Sequence, residues 1–262
     1  MSVQTTLHRL LTSLPDRLLE KRAGFLLLID PDKYDEPTLL KLVEDVTTFG
    51  ATAILIGGST MISNRLDEYI RHIKSVSPLP VIIFPGSVVQ VSREADAILY
   101  LSLVSGRNPE YLIGHHVIAA PLIQQLELEP ISTAYLLIES GRRTAVEFMS
   151  NSAPIPRHKP EIAAAHALAA EYLGMKLVYL EAGSGADYSV PEEMISLVSK
   201  TISVPLIVGG GIRTPEEVHR KVQAGANFIV VGNAFEHRHD KIFLQEMIAA
   251  TCLSRKVERV SR

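Results

Sequence analysis

Short apolar segments alternate with longer, charge-bearing segments from one end of the chain to the other. Most of the apolar segments are rich in Val, Ile and Leu without polar residues at alternate positions, which is typical of strands buried on both faces. The alternation indicates repeated β/α units and a parallel sheet. Eight strands are predicted, at residues 25–29, 53–56, 81–84, 97–101, 135–138, 177–180, 206–208 and 228–231.

Eight β/α units in about 250 residues fit a closed barrel better than an open sheet. We therefore predict an α/β fold, a single-domain (β/α)8 TIM barrel over residues 1–262, with an N-terminal helical extension at 1–22 and a C-terminal helix and tail at 237–262. Gly86–Ala95 is too short for a full helix, so a loop is expected to replace the helix after strand three. Residues 150–160 are proline-rich and basic, and we interpret them as a mobile active-site loop after strand five.

Several helix starts carry recognisable signals. Thr214-Pro215-Glu216-Glu217 offers an N-cap, a proline at the first helical position and a carboxylate at the third, which is a capping box. Two further starts are predicted on similar grounds, from Ser189 with Glu192 and from Asn108 before Pro109.

Composition excludes several classes of protein. Lys and Arg number 26 against 29 Asp and Glu, with a net charge of −3 and no basic cluster, so no nucleic-acid partner is expected. The single cysteine, Cys252, cannot form an internal disulfide, which favours a cytoplasmic protein. No apolar run reaches the roughly 18 residues of a membrane span, and the charged residues 1–22 do not resemble a signal peptide.

Glycines gather directly after four of the predicted strands, at Gly57-Gly58, Gly183 to Gly185, Gly209 to Gly211 and Gly232. In a barrel these strand ends share one rim, where backbone N–H groups can approach an anion closely. The clusters after strands six to eight, the triple glycine leading into a capped helix, predict a phosphate site. The alternative is that the glycines only make tight turns.

Asp30 closes the apolar strand one, and a carboxylate at the rim of a barrel is costly to desolvate unless it meets a cation. With the hydroxyl of Ser59 it could hold Mg²⁺, which keeps most of its waters and takes further oxygens from a substrate phosphate. The alternative is that Asp30 or Asp32 caps a turn.

Glu181 ends strand six beside the glycine loop and is a candidate catalytic base. A salt bridge to an Arg or Lys of the barrel, such as Arg213, would be the alternative role, and Glu139 after strand five is a weaker candidate base. The histidines, among them His115 and His116, show no metal-ligand spacing and are expected at the surface. Neither GxSxG nor GxGxxG occurs, so no serine nucleophile or dinucleotide cofactor is indicated.

Several of these motifs occur together in an order that resembles one family. Between residues 24 and 236 the chain is similar to the geranylgeranylglyceryl phosphate synthases and their heptaprenyl relatives. The motifs are Ile29 to Lys33 (IDPDK), Ile56 to Ser59 (IGGS), Phe84 to Ser87 (FPGS), Leu103 to Pro109 (LVSGRNP), Tyr179 to Gly185 (YLEAGSG), Val208 to Arg213 (VGGGIR) and Val231 to Asn233 (VGN).

This resemblance implies a prenyltransferase that joins sn-glycerol 1-phosphate to a long allylic diphosphate, giving a lipid delivered to membranes. It implies that Asp30 and Ser59 bind Mg²⁺ and that the protein is a homo-oligomer. A geranylgeranyl donor is favoured by the chain length and the residues before strand one, and a heptaprenyl donor is the alternative. The residues that would hold glycerol 1-phosphate are Tyr179, Leu180, Glu181, Ala182, Gly183, Ser184, Gly185, Gly210, Gly211, Gly232 and Asn233.

The prenyl tail needs an apolar groove, which we expect on the side of strands two to four. Five residues are candidates for its lining, although plain core positions are the alternative. They are Phe84, Pro85, Tyr100, Leu103 and Tyr111.

Two other functions fit part of the pattern. A phosphate-binding isomerase of histidine or tryptophan biosynthesis would share the glycine loops, but such enzymes usually place acid/base aspartates at strands one and five. Here strand five ends in Glu139. A non-enzymatic binding or assembly barrel would not need Asp30 and Glu181.

Overall fold

In the computed structural model of the chain, eight parallel strands close into one barrel in the order β1 to β8. The structure describes residues 5–12, 22–58, 65–235 and 240–252. The strands are β1 (Gly24–Ile29), β2 (Ala53–Ile56), β3 (Val81–Ile83), β4 (Ala97–Ser102), β5 (Glu129–Leu137), β6 (Leu177–Glu181), β7 (Leu206–Gly209) and β8 (Phe228–Val231). The predicted (β/α)8 fold is confirmed.

Helices cover the outside of the barrel, and α1 lies at its N-terminal end. They are α1 (Thr6–Thr12), α2 (Glu36–Thr48), α3 (Leu66–Val76), α4 (His115–Gln125), α5 (Ala145–Ser150), α6 (Pro160–Tyr172), α7 (Glu192–Thr201), α8 (Pro215–Ala224) and α9 (Lys241–Ala249). A 3₁₀ turn at Pro31–Lys33 follows β1, and a π-helical turn at Glu110–Gly114 leads into α4. Residues 84–96, all described, contain no helix, so the predicted loop after the third strand is confirmed.

Alternate residues of each strand build two separate apolar layers. On β6, for example, Leu180 packs in the layer between strands and helices, whereas Tyr179 points into the barrel. Leu10 of α1 joins the inner layer, and the Glu129 carboxylate accepts hydrogen bonds from the first amides of α1. Helix α1 therefore closes the N-terminal end of the barrel and leaves the carboxyl ends of the strands open.

The predicted extension at 1–22 is described only at 5–12 and at Arg22, and the predicted C-terminal segment at 237–262 only at 240–252. Helices α1 and α9 lie in these parts. Within the described ranges, no helix combines the length and apolar character that crossing a membrane requires.

Strand β5 is longer than its apolar run predicted. It begins at Glu129 instead of residue 135, and its first half contains Pro130, Ser132 and Thr133. This half pairs in register with β4, and the Thr133 hydroxyl donates to the Ile131 carbonyl. Hydrogen bonding to the neighbouring strand, which cannot be predicted from the local sequence, outweighs the low strand preference of the proline and the polar residues.

The helix-start predictions have different outcomes. The capping box of Thr214 and Glu217 is present at α8, and the Asn108 side chain accepts the Glu110 amide at 3.1 Å. The start from Ser189 is wrong, because α7 begins after Pro191 and no side chain caps it.

The predicted loop at 150–160 does follow β5, after the short helix α5. Its Ile155 pairs with the strand end, donating to the Leu137 carbonyl at 2.8 Å and accepting from the Glu139 amide at 2.9 Å. These bonds anchor the middle of the segment to the barrel, and its mobility stays a prediction.

Candidate active site at the open end of the barrel

A cavity of about 600 Å³ opens at the carboxyl ends of the strands. It is polar on the side of β6 to β8 and apolar on the side of β3, β4 and α4. Its polar side carries Asp30, Glu181 and the glycine loops, and its apolar side carries Phe84, Leu103 and other large side chains. Asp30, Glu181 and the glycine turns, which were predicted from separate motifs, therefore line the same cavity.

The loops after β6, β7 and β8 contact one another directly. The Ser184 hydroxyl donates a hydrogen bond to the Asn233 side-chain oxygen at 2.9 Å, which joins the loops after β6 and β8. A Cβ atom added at Gly210 would lie only 2.6 Å from the Gly183 nitrogen, so the loops after β6 and β7 pack backbone to backbone. The three turns form one continuous polar wall.

Glycine is required in this wall for two reasons. Gly183, Gly185, Gly210 and Gly211 have φ angles of 100°, 70°, 79° and 70°, in the left-handed region that other residues rarely adopt. At Gly210 a side chain would also overlap the Glu181 carboxylate. Glycine at these positions therefore allows both the left-handed turn and the close approach of neighbouring backbone. The tight-turn interpretation and the anion-site interpretation are compatible.

Glu181 is 4% exposed and faces the cavity from the end of β6. Its Oε1 accepts the Gly183 amide at 2.6 Å, and it makes no salt bridge with Arg213, whose guanidinium binds the carbonyls of Ala186 and Asp187. Burial raises the pKa of Glu181, and the Gly183 hydrogen bond opposes that rise only partly. The result is a carboxylate with increased basicity at the cavity wall.

Tyr179 lies between the two sides of the cavity. Its ring stacks on Phe84 with 5.6 Å between centroids and meets Tyr135 edge-on at 5.4 Å. Its buried hydroxyl has no hydrogen-bond partner, and burial, followed by the charge of Glu181, raises the pKa of Tyr179 well above its ordinary value. Gly209 lies against this hydroxyl, where a Cβ atom would overlap it. A buried, unsatisfied hydroxyl beside a carboxylate is a position from which to contact a ligand.

Asp30 lines the cavity at the end of β1, the strand that pairs with β8. Its Oδ1 accepts the Asp32 amide at 3.2 Å, so it caps the 3₁₀ turn as the alternative interpretation predicted, and its Oδ2 lies 3.8 Å from the Lys33 ammonium. Gly58 approaches so closely that an added Cβ would lie 2.9 Å from the Asp30 carboxyl carbon. Ser59, the second predicted metal ligand, lies outside the described residues.

The apolar side contains all five residues predicted for the groove: Phe84, Pro85, Tyr100, Leu103 and Tyr111. Ala119 and Ile123 of α4 extend this lining, and the absence of a helix between β3 and β4 leaves the side of the barrel accessible to it. An apolar half that adjoins a polar half suits a ligand with a charged head and a hydrocarbon tail.

Sequence reasoning missed His116, which it placed at the surface. The residue is 8% exposed, its ring meets Tyr100 edge-on at 4.5 Å, and it lines the cavity with His115. Burial lowers the pKa of His116, so the neutral imidazole is favoured. Its helical spacing from Ala119 and Ile123, at i, i+3 and i+7, was the signal that could have placed it on an inward face.

Three candidates do not point into the cavity. The side chains of Leu180 and Ala182 pack in the outer apolar layer, so only their backbone could contact a ligand. Glu139 is exposed and accepts the Arg157 amide at 3.3 Å, and it is not part of the cavity wall.

The described residues also contain one surface group of metal-ligand type, formed by Glu36, Glu68 and His72. Its members are engaged with protein partners, since His72 contacts Glu36 at 2.8 Å and Arg65 binds the Glu68 carboxylate.

Comparison with known proteins shows the family of this chain. A family model described as "PcrB family" matches residues 16–251, which is most of the chain. The chain belongs to the PcrB family. This confirms, at the level of the family, the resemblance that the ordered motifs indicated.

Two curated relatives of this PcrB-family chain carry the same name. A geranylgeranylglyceryl phosphate synthase of Thermococcus gammatolerans is 51% identical over 219 residues, which cover 83% of this chain and 86% of the relative. A protein of the same name from Chitinophaga pinensis is 48% identical over 229 residues, which cover 87% and 91% of the two chains.

Among solved structures, this PcrB-family chain is similar to (S)-3-O-geranylgeranylglyceryl phosphate synthase from Thermoplasma acidophilum in complex with substrate sn-glycerol-1-phosphate. The TM-score is 0.88 at 37% sequence identity, over 95% of this chain and 99% of that chain. A tryptophan synthase chain from Mycobacterium tuberculosis matches with a TM-score of 0.61 at 14% identity, over 96% of this chain and 100% of that one, which shows a common fold alone.

Proposed function

We propose that the protein is a prenyltransferase that joins sn-glycerol 1-phosphate to geranylgeranyl diphosphate through an ether bond, the first step of ether-lipid synthesis. The observation that carries the proposal is the single cavity in which a glycine-lined polar wall adjoins an apolar groove. The family and the names of its relatives support the same reaction.

The polar wall is suited to the glycerol phosphate. The backbone turns at Gly183 to Gly185, at Gly210 with Gly211, and at Gly232 with Asn233 line one end of the cavity, and their glycines carry no side chain there. Backbone N–H groups can therefore approach a phosphoryl group closely, and the fixed turns pre-orient the glycerol hydroxyl. The Tyr179 hydroxyl, which lies beside the Glu181 carboxylate and Gly209, can contact the same ligand.

Formation of the ether bond needs one proton acceptor. The allylic C–O bond breaks with its electron pair leaving on diphosphate, and the glycerol hydroxyl oxygen forms the new bond to that carbon. The hydroxyl proton passes to Glu181, whose raised pKa makes its carboxylate a better base than an exposed one. The Gly183 amide holds that carboxylate at the edge of the polar wall.

The residues at the end of β1 suit Mg²⁺. Mg²⁺ in phosphate-binding sites is usually held by one or two carboxylates plus substrate oxygens, and Asp30 supplies one carboxylate at the cavity rim. Gly58 packs directly against that carboxylate, where a side chain would overlap it. Asp30 and Ser59 would hold the ion, which when bound would neutralise charge on the departing diphosphate.

The apolar groove is proposed to hold the prenyl tail. Phe84, Leu103 and Ala119 offer contact surface along it. A geranylgeranyl donor is favoured because the reported relatives bear that name, and a heptaprenyl donor is the alternative for the same reaction. The isomerase alternative is not supported, because Glu139 at strand five faces Arg157 instead of the cavity.

We also propose a cytoplasmic homo-oligomer whose lipid product passes to membranes. No charged residue occurs between Glu110 and Glu127, and Ile113, Val117 and Ile118 on the outer face of this region are 58%, 67% and 63% exposed. Monomeric proteins rarely expose such contiguous apolar surface, so we expect a second copy of the chain to pack against it. Sedimentation of Val117→Glu should show a smaller species than the unaltered protein, and an unchanged species would contradict this assignment.

A turnover assay tests the main proposal. Glycerol 1-phosphate, glycerol 3-phosphate and inorganic phosphate are offered with allylic diphosphates of graded chain length, and ether product is measured. The expected result is ether formation from glycerol 1-phosphate with a maximum at the C20 donor. A maximum at a longer donor would replace the donor assignment, and absence of ether product with every donor would overturn the reaction.

Asp30→Asn tests the metal assignment. Removing the carboxylate charge while keeping its shape should raise the Mg²⁺ concentration needed for half-maximal turnover by at least about 10-fold. Asp32→Asn is the control, because Asp32 lies on the same turn but does not line the cavity. Unaltered Mg²⁺ dependence of Asp30→Asn turnover would remove Asp30 from the metal site.

A further inference from the structure

The loop between β6 and α7, residues 182–191, is the part of the polar wall with the least regular structure. Among the described residues, the backbone amides of Ser184 and Gly185 donate to no protein acceptor, and both residues line the cavity. An anion should bind more tightly when these amides are already held in place, because ordering the loop on binding costs free energy.

Arg213 binds the loop backbone at residues 186 and 187, next to the cavity. Further along the loop, Arg157 donates to the Ser189 carbonyl at 3.4 Å and Lys221 to the Val190 carbonyl at 2.6 Å. The Nη1 of Arg213 donates to the Asp187 carbonyl at 3.2 Å, and its Nη2 donates to the Ala186 carbonyl. A guanidinium binds two neighbouring acceptors in a fixed fork, which an ammonium group cannot reproduce. The carbonyl oxygens at 186 and 187 are therefore engaged by a cation immediately after the amides that line the cavity.

Arg213 is itself firmly placed. It follows the triple glycine of the β7 loop, and its backbone amide donates to the Glu217 carboxylate at 2.6 Å. Glu217 also belongs to the capping box that starts α8 with Thr214. The guanidinium thus extends from a capped helix start, which is a rigid support.

The same stretch of loop is held from the opposite side by the strand-five turn. The backbone amides of Asp187 and Tyr188 both donate to the Ser140 carbonyl at 3.1 Å. Arg213 binds the carbonyls of Ala186 and Asp187, and the Ser140 carbonyl accepts the amides of residues 187 and 188. These four groups are occupied, and the amides of Ser184 and Gly185 remain for a ligand.

We propose that Arg213 is a positioning residue for anion recognition, which fixes the loop at 182–191 so that the amides of Ser184 and Gly185 are ready to bind a phosphoryl group. The identity of that anion as glycerol 1-phosphate rests on the proposed function. The role of Arg213 in ordering the loop does not.

The test compares Arg213→Met and Arg213→Lys with Arg142→Met. Arg142 is a matched control, because it also contacts the loop and carries the same charge, but it binds only the exposed Asp187 side chain and does not line the cavity. Hydrogen exchange of the ligand-free protein is measured first. In Arg213→Met the hydrogen-bonded amides of residues 186–188 should exchange at least about 10-fold faster, and in Arg142→Met they should not change.

Steady-state kinetics provide the second measurement. Loss of hydrogen bonds to a charged group should raise the KM for glycerol 1-phosphate in Arg213→Met by about 10- to 100-fold, while the KM for the prenyl diphosphate stays within about 2-fold. Arg213→Lys, which can still donate to one carbonyl, should lie between Arg213→Met and the unaltered enzyme. A purely structural defect would change both KM values or lower the folded fraction instead.

Binding of inorganic phosphate separates this proposal from the proposed function. If the unaltered protein forms no ether product, the proposed function fails, and phosphate affinity with hydrogen exchange still decides the role of Arg213. Weaker phosphate binding with faster exchange in Arg213→Met, but not in Arg142→Met, supports the proposal. Unchanged exchange overturns it, including when phosphate binding weakens, because Arg213 would then contact the anion directly without ordering the loop.

Discussion

The two sides of the cavity are built by different means. The side formed by β6, β7 and β8 presents backbone groups held in left-handed turns by glycine, and Gly210 packs against Gly183 and Glu181. The side formed by β3, β4 and α4 presents large apolar side chains such as Phe84 and Tyr100. The glycine wall should therefore be intolerant of any added atom, whereas the apolar groove should respond gradually to changes of volume.

Tyr179 and Glu181 lie where the two sides meet. The Tyr179 ring belongs to the apolar stack with Phe84, while its hydroxyl belongs to the polar wall beside Gly209. Glu181 occupies the same strand two residues later, and burial raises its pKa. Reaction chemistry is expected at this boundary, because the head of one substrate and the reactive end of the other must meet there.

The largest effect is expected from Glu181→Gln. The amide keeps an oxygen that can accept the Gly183 amide hydrogen bond, but it cannot take up a proton at neutral pH. Loss of a general base should lower kcat by about 10²- to 10⁴-fold, with little change in the KM for glycerol 1-phosphate. A variant that retained most of its kcat would show that another group accepts the proton.

The same substitution should stabilise the fold at neutral pH. Because burial raises the pKa of Glu181 above its ordinary value of 4.5, the folded protein binds this proton more tightly than the unfolded chain. That stabilising contribution is complete below the unfolded pKa and is lost as pH rises through the folded pKa. Glu181→Gln should thus melt at a higher temperature than the unaltered protein at pH 8, with the difference shrinking toward pH 4.

An intermediate effect is expected from Gly210→Ala, and Gly174→Ala is its matched control. Both glycines have positive φ, 79° and 86°, but a Cβ at Gly174 meets nothing within 4 Å, whereas at Gly210 it overlaps Glu181. Gly174→Ala should cost about 1 kcal/mol of unfolding free energy from its backbone conformation alone. Gly210→Ala should cost more and raise the KM for glycerol 1-phosphate at least about 10-fold. Equal effects of the two changes would show that the wall can relax.

The smallest effect is expected on the apolar side, where Ala119→Phe narrows the groove and Ala165→Phe is the control. Ala119 lines the cavity, while Ala165 on α6 is exposed and does not line it. Ala119→Phe should lower kcat/KM for the C20 donor by about 10-fold, with a smaller loss for shorter donors and an unchanged KM for glycerol 1-phosphate. If Ala165→Phe produced the same donor dependence, the groove would not be the tail site.

The sequence also predicted the two sides of the cavity to different extents. The glycine clusters and the capping box at Thr214 are local patterns whose geometry follows from a few consecutive residues, and the structure bears them out. The first half of β5 was missed because pairing with β4 stabilises Pro130 and Ser132 in a strand that their own preferences do not favour. His116 was misplaced because only packing against Tyr100 shows which face of α4 is buried.

The sequence by itself determined the order of strands, the eight β/α units and the positions of the glycine turns, because hydrophobic runs and left-handed turns are properties of neighbouring residues. Only the tertiary structure decided that Arg213 binds the carbonyls of Ala186 and Asp187 and that Ser184 meets Asn233. These partners are 26, 27 and 49 positions apart along the chain. Contacts over such separations exist only once the barrel closes and brings the carboxyl ends of its strands together.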